Sequence, residues 1–212
     1  MKRSGFQTMS PYAYPFYIMT HPKDGFQEMK MNQKSSVSVT VLIIGIYILV
    51  EMLYRKYVPI DLNEYDRDQL SFVRLFIIMV ATFFIVTGAN WCFCTLLDGK
   101  GKFKDICYVA ACAVLPMILM NILTLIASRF LTANESVILE YPALVIKGWA
   151  LVIFFIGLSE IHDYSGKKTF LSLILTVVGI LIILFLGLLL VMLFQQLYQF
   201  VELIIFDFKY KM

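Results

Sequence analysis

Charge and histidine are both scarce in this sequence. Only 16% of the 212 residues are charged and two are histidine, whereas about 25% of an average soluble domain is charged. The chain also lacks a Gly-x-Ser-x-Gly elbow, a His-Glu-x-x-His pair and a phosphate-binding Gly-x-x-x-x-Gly-Lys-Ser/Thr loop. These absences exclude the standard hydrolases, zinc proteases and nucleotide hydrolases. We therefore expect no enzymatic activity and no cofactor.

The sequence also lacks the features of three other classes: nucleic-acid binders, proteins with a cleaved signal peptide and disulfide-rich proteins. The net charge of +3 is small and dispersed, so the basic footprint of a nucleic-acid binder is missing. No apolar run follows the basic start of the chain, so we expect no cleaved signal peptide. The cysteines lie in or beside two apolar blocks, which does not indicate a disulfide framework. They are Cys92, Cys94, Cys107 and Cys112.

Apolar residues dominate what is present. They make up 60% of the chain and occur in long blocks. A bilayer core about 30 Å thick requires roughly 20 apolar helical residues, since only a helix or a closed barrel satisfies its own backbone in lipid. The sequence therefore predicts an all-α integral membrane protein, with a tail at 1–36 and a transmembrane domain at 37–212. The predicted spans are about 37–54, 75–97, 106–128, 142–161 and 169–194.

Several of the predicted spans contain a charged residue, an asparagine or a proline that a membrane helix must accommodate. Glu51 lies near the end of the first span, where its carboxylate can reach the interface. Lys147 interrupts the fourth span, and snorkelling explains this lysine better than a buried functional cation does. Pro116 lies near the centre of the third span and predicts a helix kink. Asn90 and Asn121 are predicted to form hydrogen bonds between helices.

The N-terminal tail contains one segment with the pattern of a short helix. Thr20 and His21 precede a proline at the first helical position, which is typical of a helix start. Residues 22–34 are therefore predicted to form an amphipathic interfacial helix with an apolar edge at Phe26 and Met29. A solvated helical linker is the alternative.

The end of the chain predicts a second amphipathic segment. The charge-free run from Thr169 to Val201 would be about 50 Å long as one helix, which exceeds the thickness of the hydrocarbon core. Glutamines interleave with apolar residues beyond Phe194, so the fifth span is predicted to end there. The tail that follows is predicted to lie along the interface.

Lysine and arginine are slightly more numerous in the segments on the N-terminal side of the membrane. The positive-inside rule therefore predicts a cytoplasmic N-terminus and an outside C-terminus. The two inside loops share a spacing of aspartate, glycine and lysine, which is Asp98, Gly101 and Lys102 in one and Asp163, Gly166 and Lys167 in the other. Tight turns between antiparallel helices explain this spacing. A transporter built from duplicated hairpins is the alternative.

The same rim contains the best candidate for a metal site. Glu160, His162 and Asp163 are predicted to lie beside Asp98, with Cys92, Cys94 and Cys107 on the same side of the membrane. However, Cys92 and Cys94 are two positions apart on a helix and point to different faces. Acidic, histidine and tyrosine residues at a membrane rim more often form hydrogen bonds to the loop backbone and to lipid headgroups. We therefore expect no bound metal.

Several short strings resemble one family in their order and spacing. They are His21, Pro22, Lys23, Asp24, Gly25 and Phe26; Asn90 and Trp91; Leu97, Asp98, Gly99, Gly101, Phe103 and Lys104; Pro116; and Ile161, His162, Asp163 and Tyr164. Together with the five-span layout, they make residues 16–205 resemble the bacterial branch of the Ypt-interacting-protein (YIP) family. Each string alone is weak, but their order and spacing are fairly specific.

This resemblance implies a five-helix plasma-membrane protein with a cytoplasmic N-terminus and no known enzymatic activity. Members of the eukaryotic branch act as membrane adaptors for small GTPases. This role is not transferred to the bacterial branch. Bacterial relatives are often encoded beside carbohydrate ABC importers. The resemblance therefore implies an adaptor, scaffold or accessory subunit that binds another membrane protein, with sugar importer subunits as candidate partners. The alternative is a component of a small-solute or lipid transporter or channel.

The candidate partner-contact or structural residues are predicted to lie at the cytoplasmic rim. They are His21, Pro22, Asp24, Phe26, Asn90, Trp91, Asp98, Gly101, Lys102, His162, Asp163 and Tyr164.

Overall fold

The protein is all-helical in a computed structural model that describes residues 12–32, 35–58, 71–131, 135 and 137–211. The all-α prediction is confirmed, since these ranges contain no strand. The helices of the described residues are α1 (Tyr14–Thr20), α2 (Pro22–Asn32), α3 (Val37–Tyr57), α4 (Phe72–Leu96), α5 (Phe103–Ala127), α6 (Val137–His162) and α7 (Gly166–Lys211).

Helices α3 to α7 are long and apolar enough to cross a membrane, which confirms the predicted five spans within the described residues. The helix bounds differ from the apolar blocks. α4 begins at Phe72 because the Ser71 hydroxyl caps it by accepting the Arg74 N–H at 3.4 Å. Such a cap satisfies a backbone donor that has no partner inside the helix. Helical structure therefore extends into polar residues at the span ends.

Helix α5 lies at the centre of the bundle, where it packs on α3, α4 and α6. Half of its most apolar stretch is buried inside the protein, against 6% of that of α7. Pro116 is buried within α5, and helical residues continue on both sides of this proline. The kink at Pro116 stays a prediction.

Two hydrogen-bonded groups join the spans inside the apolar bundle. Asn90 Nδ2 donates to Thr176 Oγ1 across α4 and α7 at 2.9 Å. Asn121 Nδ2 of α5 donates to one carboxylate oxygen of Glu51 at 2.9 Å, and Arg55 Nε donates to the other at 2.8 Å. The predicted bonds of both asparagines are confirmed. Glu51 is 13% exposed and has partners inside the protein, so it does not depend on snorkelling.

Helices α1 and α2 form an antiparallel pair, here called the N-terminal hairpin, that packs on α5 and α6. Helix α1 was not predicted from the sequence. The prediction of a helix at 22–34 is confirmed over Pro22–Asn32, and residues 33–34 lie outside the described residues. Its apolar edge packs on protein, because Phe26 and Met29 are 0% and 1% exposed. The hairpin is therefore part of the bundle and is not a separate solvated linker.

Three contacts spaced along α6 define how the N-terminal hairpin lies. They join Lys30 to the Glu160 carbonyl at 3.1 Å, the Phe26 ring to Gly157, and the Met19 carbonyl to the Trp149 indole N–H at 3.1 Å. Trp149 lies about 20 Å along the helix axis from the end of α6 at His162. The N-terminal hairpin therefore runs alongside the part of α6 between Trp149 and Glu160.

Helix α7 continues without a break past Phe194, where the sequence predicted the end of the fifth span. The glutamines that follow are good helix formers, so they do not interrupt the backbone. Packing is confined to the start of α7, where Thr169, Ser172 and Thr176 are buried. From Leu181 to Phe206 each large apolar side chain is 40% to 70% exposed. The second half of α7 is thus apolar and unpacked.

Candidate functional site

The α4–α5 and α6–α7 loops meet at one end of the bundle, here called the rim. Both loops leave their helix through the same backbone turn. Asp98 and Asp163 each have a φ of 56°, in the left-handed region that aspartate tolerates better than most residues. The next N–H then bonds back into the helix, from Gly99 to Cys94 at 2.8 Å and from Tyr164 to Ser159 at 3.0 Å. The repeated spacing in the sequence thus corresponds to two matching helix ends.

His162 joins these two loops from a buried position. Its side chain is 2% exposed, and its Nδ1 accepts the Gly101 N–H at 3.2 Å. The imidazole also stacks on the Tyr164 ring, with centroids 5.1 Å apart. A backbone N–H can only donate, so Nδ1 is unprotonated and the ring hydrogen lies on Nε2. Nε2 has no hydrogen-bond partner among the described residues.

Tyr164 fastens the α6–α7 loop to the end of α4. Its hydroxyl donates to the Cys94 carbonyl at 2.9 Å and lies 3.2 Å from the Leu97 carbonyl. Burial raises the pKa of Tyr164 to about 12, with smaller contributions from Cys94 and Asp98. The tyrosine therefore stays protonated and keeps its donor at any physiological pH.

Glycine is required where these rings approach the α4–α5 loop. A Cβ on Gly99 would lie 2.7 Å from both the Cys94 carbonyl and the Tyr164 hydroxyl, and would also overlap the His162 ring. A Cβ on Gly101 would lie 2.9 Å from the His162 ring. Gly99 thus permits the contact between the two loops, a role that its place in the family-like string did not reveal.

Asp163 connects the N-terminal hairpin to both loops. Its carboxylate pairs with Lys30 at 2.6 Å and with Lys100 at 3.2 Å. The hydrogen bond from Lys30, and then the one from Lys100, lower the pKa of Asp163. Because the aspartate is about half exposed, the pairs position these lysines more than they stabilise the fold.

Asp105 connects the start of α3 to the start of α5. Its carboxylate accepts the Ser35 hydroxyl at 2.6 Å and the Lys102 N–H at 3.1 Å. This side chain therefore caps α5 and holds the chain that leaves the N-terminal hairpin. The tail and both loops consequently share one side of the bundle.

The structure places the predicted site residues at the rim, inside the bundle and on the N-terminal hairpin. Six of them belong to the two loops that meet at the rim: Asp98, Gly101, Lys102, His162, Asp163 and Tyr164. Trp91 is 44% exposed and makes an edge contact with Phe103, while Asn90 is buried inside the bundle. His21 is exposed and stacks on Tyr17.

His21, Pro22 and Asp24 lie at the tip of the N-terminal hairpin, and Pro22 is about 12 Å along α2 from Lys30, which pairs with Asp163 at the rim. The sequence could not place them, because nothing in it showed that the hairpin folds along α6. Lys30, Lys100 and Asp105 were missed as site residues, although the positive-inside rule indicated the lysines as a group.

The described residues contain no group of three histidine, cysteine, aspartate or glutamate side chains that could hold a metal ion. The cysteines are free, with Cys92 exposed and the other three buried. The rim therefore brings together lysines, a buried imidazole and two matching backbone turns.

These features define a multi-pass helical membrane protein whose N-terminal hairpin and two inter-helix loops meet at one rim. A family model described as the Yip1 domain matches residues 16–194. The chain belongs to the Yip1 domain family, as the resemblance predicted. No curated protein and no solved structure matches the chain.

Proposed function

We propose that this protein is a non-enzymatic membrane adaptor that binds another integral membrane protein through the second half of α7. The observation that carries the proposal is the length and exposure of this helix. Its 46 residues correspond to about 69 Å, more than twice the hydrocarbon thickness of about 30 Å. Lipid cannot cover an upright helix of this length. A partner in the membrane would cover the apolar surface from Leu181 to Phe206.

The rim supports a specific orientation of the proposed adaptor. Lysines collect there, at Lys30, Lys100, Lys102, Lys104, Lys167 and Lys168. The positive-inside rule then favours a cytoplasmic rim and N-terminus in the plasma membrane, with the C-terminus outside. Among membrane partners, the subunits of a carbohydrate ABC importer are those that the resemblance to the bacterial branch implies.

Photo-crosslinking in intact cells tests the adaptor proposal. A photoreactive phenylalanine analogue at Leu189, which is 47% exposed in α7, is expected to give one discrete heavier product that contains a second protein. The control position is Val73 of α4, which is 69% exposed and is expected to give lipid adducts only. The proposal fails if Leu189 yields only lipid adducts or only a product between two copies of this chain.

A transporter or channel component is the second candidate. The matching ends of α4 and α6 favour it, because paired hairpins occur in transporters built from repeats. Against it, the charged groups inside the described bundle are confined to one cluster, that of Glu51 and Arg55. Flux of sugars or lipids in reconstituted liposomes, abolished by an Asn90→Leu substitution, would favour this candidate over the adaptor.

A further inference from the structure

A small basic pocket lies at the rim between the N-terminal hairpin and the α4–α5 loop. Its volume is about 150 Å³, which is the share of roughly five water molecules in the liquid. A phosphate group has a similar number of heavy atoms and fits this space. The polar lining consists of Lys30, Ser35, Lys100, Gly101, Lys102, Lys104 and one carboxylate, that of Asp105.

The charges around the pocket favour an anion. Asp163 pairs with Lys30 and Lys100 and thereby holds both lysines at the edge. Asp105 is occupied by the Ser35 hydroxyl and the Lys102 N–H. Lys102 and Lys104 are exposed and have no ion-pair partner in the part of the chain that the structure describes. Two positive charges are thus left after both carboxylates are counted.

The first turn of α5 adds backbone donors to this positive field. α5 starts at Phe103 and is 25 residues long, so its N-terminus carries a partial positive charge. Asp105 satisfies one donor at this end, the N–H of Lys102. The N–H groups of Asp105 and Ile106 bond the Lys102 carbonyl at 2.9 Å and 3.2 Å. Those of Phe103 and Lys104 precede the first intrahelical bonds, so they have no acceptor within the helix and are suited to phosphate oxygens.

A buried donor beneath the pocket points independently to a missing acceptor. The His162 ring packs against Gly101, which is part of the pocket lining, and Nε2 would be 3.2 Å from a Cβ placed there. Its Nε2–H is buried and has no acceptor among the described residues. A buried donor without an acceptor destabilises the folded protein. A ligand oxygen that enters the pocket beside Gly101 would remove this destabilisation.

We propose that this pocket is a phosphate-binding site, with Lys102, Lys104 and the first turn of α5 as the main donors and His162 Nε2–H as a further one. The phosphate group can belong to an anionic phospholipid of the adjoining leaflet or to a soluble phosphate. Either source presents the same oxygens to the rim. This site is separate from the α7 surface proposed to bind a protein.

Nitrogen-15 NMR of the histidine side chains in the full-length protein tests the proposal. The chain has two histidines, so the imidazole signals are few and can be assigned. Inorganic phosphate is added to the protein in a neutral detergent, and a second sample is placed in nanodiscs of phosphatidylcholine with or without phosphatidylglycerol. The His162 Nε2 signal, assigned with a His21→Gln variant, is expected to shift with at least one probe. A shift with free phosphate indicates a soluble ligand, and a shift with phosphatidylglycerol alone indicates a lipid headgroup.

Paired variants separate the pocket from the general charge of the rim. Lys102→Gln with Lys104→Gln is expected to weaken the apparent affinity at least about tenfold, because each substitution removes a charge-assisted hydrogen bond to the phosphate. Lys167→Gln with Lys168→Gln removes the same charge outside the pocket and is expected to change affinity less than about threefold. The proposal is overturned if neither probe moves the His162 signal, or if the two double variants weaken binding equally.

Discussion

Replacing Gly99 by alanine is expected to lower the thermal unfolding midpoint of the purified protein in detergent by roughly 5–10 °C. The new Cβ would lie 2.7 Å from the Cys94 carbonyl and the Tyr164 hydroxyl. A backbone carbonyl cannot move aside, and the buried His162 ring blocks the remaining direction. The two loops must therefore separate, which breaks the contacts that join α4 to α6 at the rim.

A control for this substitution lies in α4, the helix that precedes the loop of Gly99. A Cβ added to Gly88 of α4 would meet no atom within 4 Å, and alanine favours a helix more than glycine does. Gly88→Ala is therefore expected to leave the midpoint unchanged or slightly higher. Equal midpoints for the wild type, Gly99→Ala and Gly88→Ala would show that the loops do not pack as described.

The second large effect is expected at the N-terminal hairpin. Phe26 is fully buried against Gly157 of α6, and removing a buried phenylalanine side chain costs about 3–5 kcal/mol. Phe26→Ala is therefore expected to raise amide hydrogen exchange in α1 and α2 more than about a hundredfold, since each 1.4 kcal/mol is about tenfold. The bundle helices α3 to α6 should keep their protection, because the hairpin packs on their outside.

Phe16→Ala provides the comparison within the same hairpin, because Phe16 is 53% exposed. We expect its exchange rates to stay within about threefold of the wild type. Equal exchange in the two variants, or a uniform increase across all helices in Phe26→Ala, would contradict a hairpin that docks as a separate unit.

Much of this fold could be predicted from charge and length alone. The second, third and fifth spans follow from the absence of charge over blocks as long as a bilayer is thick, a constraint set by backbone hydrogen bonding in lipid. The first and fourth spans follow from apolar length in spite of Glu51 and Lys147. The bonds of Asn90 and Asn121 followed from the same argument, because a polar amide among apolar helices needs a partner. Phe26 and Met29 were identified as an apolar edge by their spacing.

The position of the N-terminal hairpin along α6 could not be predicted. A short amphipathic helix can bury Phe26 and Met29 either in the membrane–water interface or in a groove of the protein. The sequence pattern is the same in both cases. The groove exists only because Gly157 lacks a side chain and lies next to Val109 of α5. The role of Gly157 therefore cannot be predicted until the packing of α5 against α6 is known.

The rim was predicted in part, for a related reason. The spacing of Asp98 and Asp163 indicated two similar turns, and both turns are present. The bond from Gly101 to His162 and the pairing of Asp163 with Lys30 join residues that are 61 and 133 positions apart in the chain. Such contacts depend on how whole helices are arranged, which no local pattern encodes.

The position of the N-terminal hairpin along α6 is the central claim, and photo-crosslinking from residue 149 tests it most directly. Trp149 bonds the Met19 carbonyl at 3.1 Å, so a photoreactive phenylalanine analogue at this position is expected to crosslink to the α1–α2 tip, residues 17–22, in protein held in nanodiscs. Leu151 of the same helix is 70% exposed and is expected to react with lipid alone. Crosslinks from residue 149 only to lipid, as from residue 151, would contradict the account, because the hairpin would then lie elsewhere.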